Sequence, residues 1–566
     1  MQNAAKGASV VVTNSGESSD YVNGQPVYHK PLPIISIPTI LGSLSEMTLG
    51  MYLYDKYDEV YKECADSNIY VKDCIIDPTL YETVPVKYSI SSALSVFALS
   101  FDVYMSNSLN IINEPLIKYA MKTSISGIRG IIGDGLDIRT VVDYTSAFAG
   151  LFPKKAKILV ARDTRLTGES IVNAVISTLT ASGINVIDIG ITPTPTALYM
   201  VEKLKLHGGI MVSASHNPIE WNALKLIGKG GKFLDEKSVV ELNKLYDKKT
   251  SRFVKALETG TYHKIDDAIE QHIKRIVRFI DIDKIKKRNF KVACDYVNGT
   301  GLFATPKLLK VLGVKEISIN KEWTGKFSHI AEPSANSMKS LSDLVKKNKV
   351  DIGFTQDPDA DRLAIVLNDG TIVSEEYTLA LCAKYLWSVG KGDAAVNLST
   401  SRMIDDLAKE KGYSVDRTKI GEINVSSHVV KNRLYFGGEG NGGIIVPAVS
   451  PGRDSLLGIA LILELMAKEN KTIKEIIEEI PKYEIVKEKL EVAKIDENSF
   501  LKNIKLKYPK SKINSIDGIK INLENGWLHV RSSNTEPIVR IIAEAKSKKE
   551  AKEFIKNAID IIKNKK

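Results

Sequence analysis

The sequence predicts an α/β protein: three similar domains with mixed or parallel sheets, then a smaller α+β domain at the C-terminal end, with an extra, mostly helical segment at the N-terminal end. Two observations carry this. From residue 121 onward, short apolar runs of strand length alternate with helical stretches, the pattern of a mostly parallel sheet covered on both faces. The rhythm occurs three times, and each time a strand runs into a polar loop: SASHNP, DPDADR and GEGNGG. At roughly 150 residues per domain, the 566 residues suggest three to five domains.

In chain order, residues 1–120 begin MQNAAKGASVVVTNSGESSD, which lacks a charged start followed by a sustained apolar stretch, so no signal peptide is expected. The most apolar window, residues 88–105, carries Ser89, Ser91, Ser92, Ser95, Ser100 and Asp102, and suits a packed helix better than a membrane span. Cys64, Cys74, Cys294 and Cys382 show no paired framework and no metal-ligand spacing, which favours buried thiols in a reducing compartment. The expectation is a soluble cytoplasmic protein with no membrane partner.

The first α/β domain, residues 121–266, has AKILVARD, INVIDIG and GGIMVSAS as strands, with helices at about 170–181 and 194–204. The second, 267–372, has FKVACDYVNG, KEISIN and DIGFTQD, with helices at about 302–312 and 337–348. AAVNLST, LYFGGEG and a helix over 454–469 belong to the third, 373–482. In the last, 483–566, IKINLENGWLHVRSS reads as two strands about an Asn525-Gly526 hairpin turn, followed by IVRIIAEAK and a helix over 549–562. Open α/β sheets bind ligands outside the carboxyl ends of their strands, where the three polar loops fall.

The formal charge of +10 is unevenly spread. Residues 1–120 hold 7 Lys+Arg against 13 Asp+Glu, a net of −6, and residues 121–566 hold 71 against 55, a net of +16. A basic main body points to anionic ligands, either nucleic acid or small phosphorylated compounds. The charge comes without an aromatic RNA-binding motif or a helix-turn-helix signature, which disfavours nucleic acid.

Four loops carry candidate chemistry. In GIMVSASHNPIEWNALK, Ser215 ends a strand beside His216 and Asn217, with Lys225 ten residues on. A serine so placed serves as a nucleophile or phosphate carrier, and a plain Ser-His-Asn-Pro turn is the competing reading. In FTQDPDADRLAIV, Asp357, Asp359 and Asp361 alternate, so in extended chain their carboxylates share one side, and converging carboxylates call for a hard cation such as Mg²⁺. An EF-hand does not fit, because Arg362 stands where glycine is required and Asn368 where glutamate is. A solvated acidic turn is the bland alternative.

The glycines of FGGEGNGGIIVP are followed by a β-type run rather than a helix, which argues against a dinucleotide fingerprint. Glu439 and Asn441 there suit sugar hydroxyls, and a Gly-rich hairpin is the competing reading. HVRSSNTEPIVRI gathers Arg531, Ser532, Ser533, Asn534, Thr535 and Arg540, a phosphate cradle or a capped turn with surface arginines.

Together these loops resemble the α-D-phosphohexomutase superfamily, over residues 121–566 and in the family's order. SASHNP is similar to its phosphoserine loop, DPDADR to its metal loop, GGEGNGG to its sugar loop and RSSNTEP to its phosphate loop. SISGIRG, residues 124–130, is similar to its opening motif. The resemblance implies that Ser215 is phosphorylated and that Asp357, Asp359 and Asp361 bind Mg²⁺ with a phosphoserine oxygen. It places Arg129, His216 and Lys225 near the reacting group, with Lys225 as general acid/base through a lowered pKa. Arg362, Glu422, Glu439 and Asn441 fall on the sugar, and Arg531, Ser533, Asn534, Thr535 and Arg540 on its nonreacting phosphate.

The implied activity interconverts a sugar 6-phosphate and 1-phosphate through a hexose bisphosphate intermediate, which also acts as activator. A monomer or homodimer acting on a small phosphosugar is expected. The common Glu-x-Ser-Gly-His of gluco/mannomutases reads Glu439-Gly440-Asn441-Gly442-Gly443 here, and Gly421-Glu422 stands where many members have Gly-His. A glutamate attracts an amino group, which favours glucosamine phosphate over glucose or mannose phosphate. A metal-dependent sugar phosphatase is the remaining alternative.

PLPIISIPTILGSLSEMT, CIIDPTLYETVP and SSALSVFALSFDVYMS resemble, in order, the start of the metal-binding half of iron-type alcohol dehydrogenases. Ser95 and Leu99 stand where that family has two metal ligands, so dehydrogenase activity is not expected. Residues 1–120 read as a decayed remnant upstream of a mutase whose own start was Met121, with a regulatory or oligomerising role as the competing view.

Overall fold

The apolar runs of the main body build three sheets with one shared plan. The computed structural model describes residues 127–249, 253–490, 497–532 and 538–563, and the strands Ile34–Ser36, Gly50–Asp55, Val60–Ala65, Val71–Cys74 and Lys122–Ser124. In the second sheet the strand order is Lys315–Ile319, Lys291–Asp295, Ile352–Gln356, Leu363–Leu367. In the third it is Val415–Thr418, Ala394–Asn397, Phe436–Glu439, Gly443–Ile445. Each has three parallel strands and a fourth, antiparallel one.

The first sheet repeats this unit as Asn185–Ile191, Lys157–Arg162, Gly208–Val212 and antiparallel Trp221–Ile227. It extends to eight strands with Tyr262–Lys264 on one edge, and Gly127–Ile132, Lys122–Ser124 and Gly135–Leu136 on the other. SASHNP, DPDADR and GEGNGG therefore occupy one structural position. Each joins the third strand to the antiparallel fourth, at the carboxyl end of the parallel set, where the strand direction reverses.

Packing joins the second and third units most closely. The helix Ser455–Glu469, capped by Asp454, which accepts from the Leu457 amide at 3.1 Å, is apolar on all sides and buried from Ser455 through Met466. It lies against the helix Glu376–Ser388 inside one continuous core that joins the second and third units, including Phe290, Phe354, Leu379 and Ile462. Phe148, Ile158, Val212 and Leu224 form a separate core in the first.

The last unit is a five-stranded antiparallel sheet in the order Glu484–Leu490, Val539–Ala545, Gly526–Ser532, Ile519–Leu523, Lys512–Asn514, under the helix Lys548–Lys563. Its hairpin differs from expectation by one residue. Leu523 pairs with Gly526, so the turning residues are Glu524 and Asn525. Gly526 belongs to the strand, where a Cβ would collide with the Glu544 carbonyl oxygen, so this glycine serves close strand approach.

Residues 1–118 form a unit of their own, in which Ile34–Ser36 pairs in parallel with Val71–Cys74 and Gly50–Asp55 antiparallel with Val60–Ala65. The alternating aromatic and apolar positions of GMYLYD suit a strand. The helix expected over residues 88–105, and the dehydrogenase-like positions Ser95 and Leu99, lie outside the described residues, as does Met121. Among the described residues no helix is long and apolar enough to cross a membrane.

Candidate active site

The strand Gly208–Val212 is buried along its whole length and delivers Ser215 to the carboxylate loop, 2% exposed and with φ of 50°. A left-handed backbone at a non-glycine residue is held there by its surroundings. The Ser215 amide donates to Ser213 Oγ at 3.0 Å, and its carbonyl accepts from Arg165. Arg165 is fully buried and donates to the Ser215, Asn217 and Pro218 carbonyls at 2.8, 2.8 and 2.6 Å, and to Asp163 Oδ2 at 3.1 Å. The Phe327 ring covers its guanidinium, 4.7 Å from the centroid.

Arg165 was not among the residues singled out in the sequence. ARDTR after a strand was its only signal, because its partners lie about fifty residues away. Arg165→Lys keeps the charge but loses the rigid fork, and a misplacement of about 1 Å costs on the order of a hundredfold in rate. We expect kcat to fall between about tenfold and a hundredfold, with circular dichroism unchanged.

Arg129, from the strand Gly127–Ile132, donates to Asn217 Oδ1 at 3.0 Å, so it braces the same loop. His216 has Nδ1 3.4 Å from Ser215 Oγ and Nε2 4.0 Å from Glu332. Burial, then the Arg362 and Arg129 guanidiniums, push its pKa down to about 2. The imidazole is therefore neutral, a hydrogen-bond partner rather than a strong base.

Asp357, Asp359 and Asp361 are all fully buried, with one oxygen of each within 4.8 Å of the others. They converge through a turn rather than an extended run: the Ala360 amide donates to the Asp357 carbonyl at 2.9 Å, and Ala360 has φ of 53°. Asp357 accepts the Ser215 hydroxyl at 2.6 Å and the Asp361 and Arg362 amides at 3.1 Å each. Burial, then Asp361 and Asp359, raise its pKa well above the carboxylate range.

Asp359 accepts from Thr194 Oγ1 and Lys225 Nζ. Burial pushes it up, but Lys225 outweighs that and holds it below the usual range. Asp361 accepts from Lys225 at 3.4 Å and from Arg453 at 2.7 Å. Oδ1 of both Asp359 and Asp361 is buried without a hydrogen-bond partner among the described residues. Unsatisfied hard oxygens in a carboxylate cluster fit a hard divalent cation.

The geometry corrects the expected lowering of the Lys225 pKa. Burial pulls it down, yet Asp359 and Asp361 carry it above its ordinary value, because the surroundings of this one side chain are anionic within a basic body. Arg362 packs close by, 3.8 Å from Asp361 Oδ1 and 3.7 Å from Glu332.

Glu439 accepts from Asn397 at 2.8 Å, the Gly421 amide at 3.1 Å and Arg453 Nη1 at 3.1 Å. Glu422 receives Arg453 on both oxygens, Nε at 3.0 Å and the backbone amide at 3.0 Å. Burial, opposed by Arg453, raises its pKa to about 7. Arg453 thus joins the carboxylate loop to the sugar-type loop, and it too escaped the sequence reading. Asn441 Oδ1 is buried without a partner among the described residues. Glu376, another residue not anticipated, packs where a Gly440 side chain would stand, and burial raises its pKa to about 8.

In the last sheet Arg531 lies directly opposite Arg540, which in turn is opposite Lys489. Like charges across strands repel, and an anion between them removes the penalty. Arg531 Nη1 is 3.6 Å from Asp517 Oδ2, which accepts the Ile420 amide at 2.9 Å beside Gly421-Glu422. Ser533, Asn534 and Thr535 lie outside the described residues. Direct bonds therefore connect Ser215, Asp357, Asp359, Asp361, Lys225, Arg453, Glu422 and Glu439, while Arg531 joins through Asp517.

Comparison with known proteins matches four family models: "Phosphoglucomutase/phosphomannomutase, alpha/beta/alpha domain I" over residues 120–253, domain II over 270–370, domain III over 374–483 and the C-terminal domain over 473–561. The phosphoglucomutase/phosphomannomutase of Thermococcus kodakarensis is 35% identical over 443 residues, covering 77% of this chain and 97% of that protein. The phosphoglucosamine/phosphogalactosamine mutase of Sulfurisphaera tokodaii is 32% identical over 449 residues, 78% and 98% respectively. A crystal structure of a phosphoglucomutase/phosphomannomutase family protein from Burkholderia thailandensis superposes with a TM-score of 0.69 at 25% identity, covering 78% of this chain and 99% of that one.

Proposed function

The chain belongs to the phosphoglucomutase/phosphomannomutase family, and we propose that it interconverts a hexosamine 6-phosphate and 1-phosphate through phosphorylated Ser215 and a hexose bisphosphate. One observation carries the phosphoserine role: the buried Ser215 hydroxyl donates to Asp357 at 2.6 Å, at the edge of the carboxylate cluster. Asp357, Asp359, Asp361 and a Ser215 phosphoryl oxygen would hold Mg²⁺, whose chemistry when bound is to spread charge on the transferring phosphoryl group.

The chain's own residues supply the rest. Arg165 and Arg129 fix the serine loop. Lys225, bonded to Asp359 and Asp361, serves as the general acid/base: it takes the proton of the attacking sugar hydroxyl as the new P–O bond forms and passes one to Ser215 Oγ as the P–Oγ bond breaks. His216 and Arg362 border the reacting group. Glu422, Glu439 and Asn441 face the sugar, and Arg531, Ser533, Asn534, Thr535 and Arg540 take the nonreacting phosphate. The intermediate turns over and returns its other phosphate to Ser215. Removing divalent cations with a chelator is expected to abolish turnover, and added Mg²⁺ to restore it.

Glucosamine phosphate is the preferred substrate in this proposal. Asp361, Glu422 and Glu439 share one arginine, Arg453, beside the sugar-type loop, so carboxyl groups outnumber the guanidinium there, which favours a protonated amino group. The rival, glucose or mannose phosphate, is favoured by the engagement of both Glu422 oxygens with Arg453. Initial rates on glucosamine, glucose and mannose 6-phosphates with Mg²⁺ decide. A kcat/KM at least about tenfold higher on glucosamine 6-phosphate is expected, equivalent to ~1.4 kcal/mol. Equal or reversed rates contradict the amino-sugar preference, and inorganic phosphate as the main product contradicts the mutase.

A further inference from the structure

Three units of the chain meet at one fully buried point. Thr196, on the helix Thr194–Lys203, has Oγ1 3.1 Å from Nδ1 of His272, on the helix Ala268–Val277. His272 Nε2 is 3.0 Å from Asp454 Oδ2, at the head of the helix Ser455–Glu469. All three side chains are fully buried, and the Tyr199 ring stacks on the imidazole with centroids 5.1 Å apart. A carboxylate only accepts, so Nε2 donates to Asp454 and Nδ1 faces the Thr196 hydroxyl. The trio has the order of a hydroxyl, imidazole and carboxylate relay. Sealed from solvent, it has no route to a substrate.

Its neighbours supply the function. Thr194, two residues before Thr196, donates its amide to the Asp359 carbonyl at 2.9 Å and its hydroxyl to the Asp359 carboxylate. Arg453, immediately before Asp454, holds Asp361, Glu422 and Glu439. His272 thus ties together the two segments that grip the carboxylate loop, one from the unit carrying Ser215 and one from the unit carrying the sugar-type loop. The second and third units share one continuous core, whereas the first meets the helix Ala268–Val277 through a smaller apolar cluster that includes Ala197, Tyr199 and Ala268, to which the polar bonds of His272 add direction. A fully paired buried polar network selects one arrangement more than it adds stability.

We propose that Thr196, His272 and Asp454 form an interdomain latch that aligns Ser215 with the carboxylate and sugar-type loops, with His272 as a positioning residue. The inference rests on the mutase reading. His272→Phe keeps a ring against Tyr199 and removes both hydrogen bonds. Thr196→Val removes one bond with little change of shape, and His272→Gln keeps a donor for Asp454.

The expected result is a kcat about tenfold or more lower for His272→Phe and a few-fold lower for Thr196→Val, with KM for the sugar phosphate within about twofold, because the sugar and its fixed phosphate are held by the other units. His272→Gln recovers most of the rate. Amide hydrogen exchange in the helix Thr194–Lys203 quickens in His272→Phe and Thr196→Val and returns toward wild type in His272→Gln. Unchanged kcat per folded molecule overturns the latch, as does a rise in KM at constant kcat. Absence of wild-type mutase turnover sinks the functional reading alone. The latch is then judged by exchange in that helix, and unaltered exchange in both variants overturns it.

Discussion

Ser215→Ala is expected to reduce mutase turnover by at least about a thousandfold, the loss typical when a covalent nucleophile is removed. The hydroxyl leaves without distorting the loop, because Arg165 holds the Ser215, Asn217 and Pro218 carbonyls and the Ser213 hydroxyl holds the Ser215 amide. Two hydrogen bonds are lost, from Ser215 to Asp357 at 2.6 Å and the longer one with His216 Nδ1 at 3.4 Å, together worth roughly 1–2 kcal/mol. Urea unfolding should therefore show a small shift while turnover disappears. A variant that retains a tenth of the wild-type rate contradicts a phosphoserine intermediate.

Arg453→Met is expected to be the most damaging change away from the serine. One guanidinium pairs with Asp361, Glu422 and Glu439, all buried, at 2.7, 3.0 and 3.1 Å. Removing the cation from a buried ion network leaves uncompensated carboxylates and costs about 3–5 kcal/mol. The carboxylate loop and the sugar-type loop also lose their shared anchor, so kcat/KM should fall by about a hundredfold or more. Arg453→Lys does not rescue, because a single ammonium lacks the fork that reaches three acceptors. Denaturant midpoints and kinetics on the folded fraction separate the two effects. Wild-type stability in Arg453→Met contradicts this view of the network.

The strands were legible because local sequence determines them. AKILVARD, GGIMVSAS and DIGFTQD contain the strands Lys157–Arg162, Gly208–Val212 and Ile352–Gln356. Glu484–Leu490 was not legible, since EIVKEKL carries the charges that protect an edge strand and lacks an apolar run. The loops stood out by composition, yet what holds them did not. Arg165 acts on carbonyls about fifty residues away, and Arg453 on a carboxylate 92 residues away. Neither pairing leaves a local pattern. Lys225 shows the same limit: the family resemblance implies a lysine with a lowered pKa among cationic neighbours, and two adjacent carboxylates distant in sequence raise it instead.

Mass spectrometry of the peptide containing Ser215 tests the central claim most directly. Incubation with a hexose 1,6-bisphosphate and Mg²⁺ should add one phosphoryl group to Ser215, and subsequent addition of unlabelled sugar monophosphate should remove it with formation of bisphosphate. A chain that interconverts the two monophosphates while Ser215 never carries phosphate contradicts the mechanism.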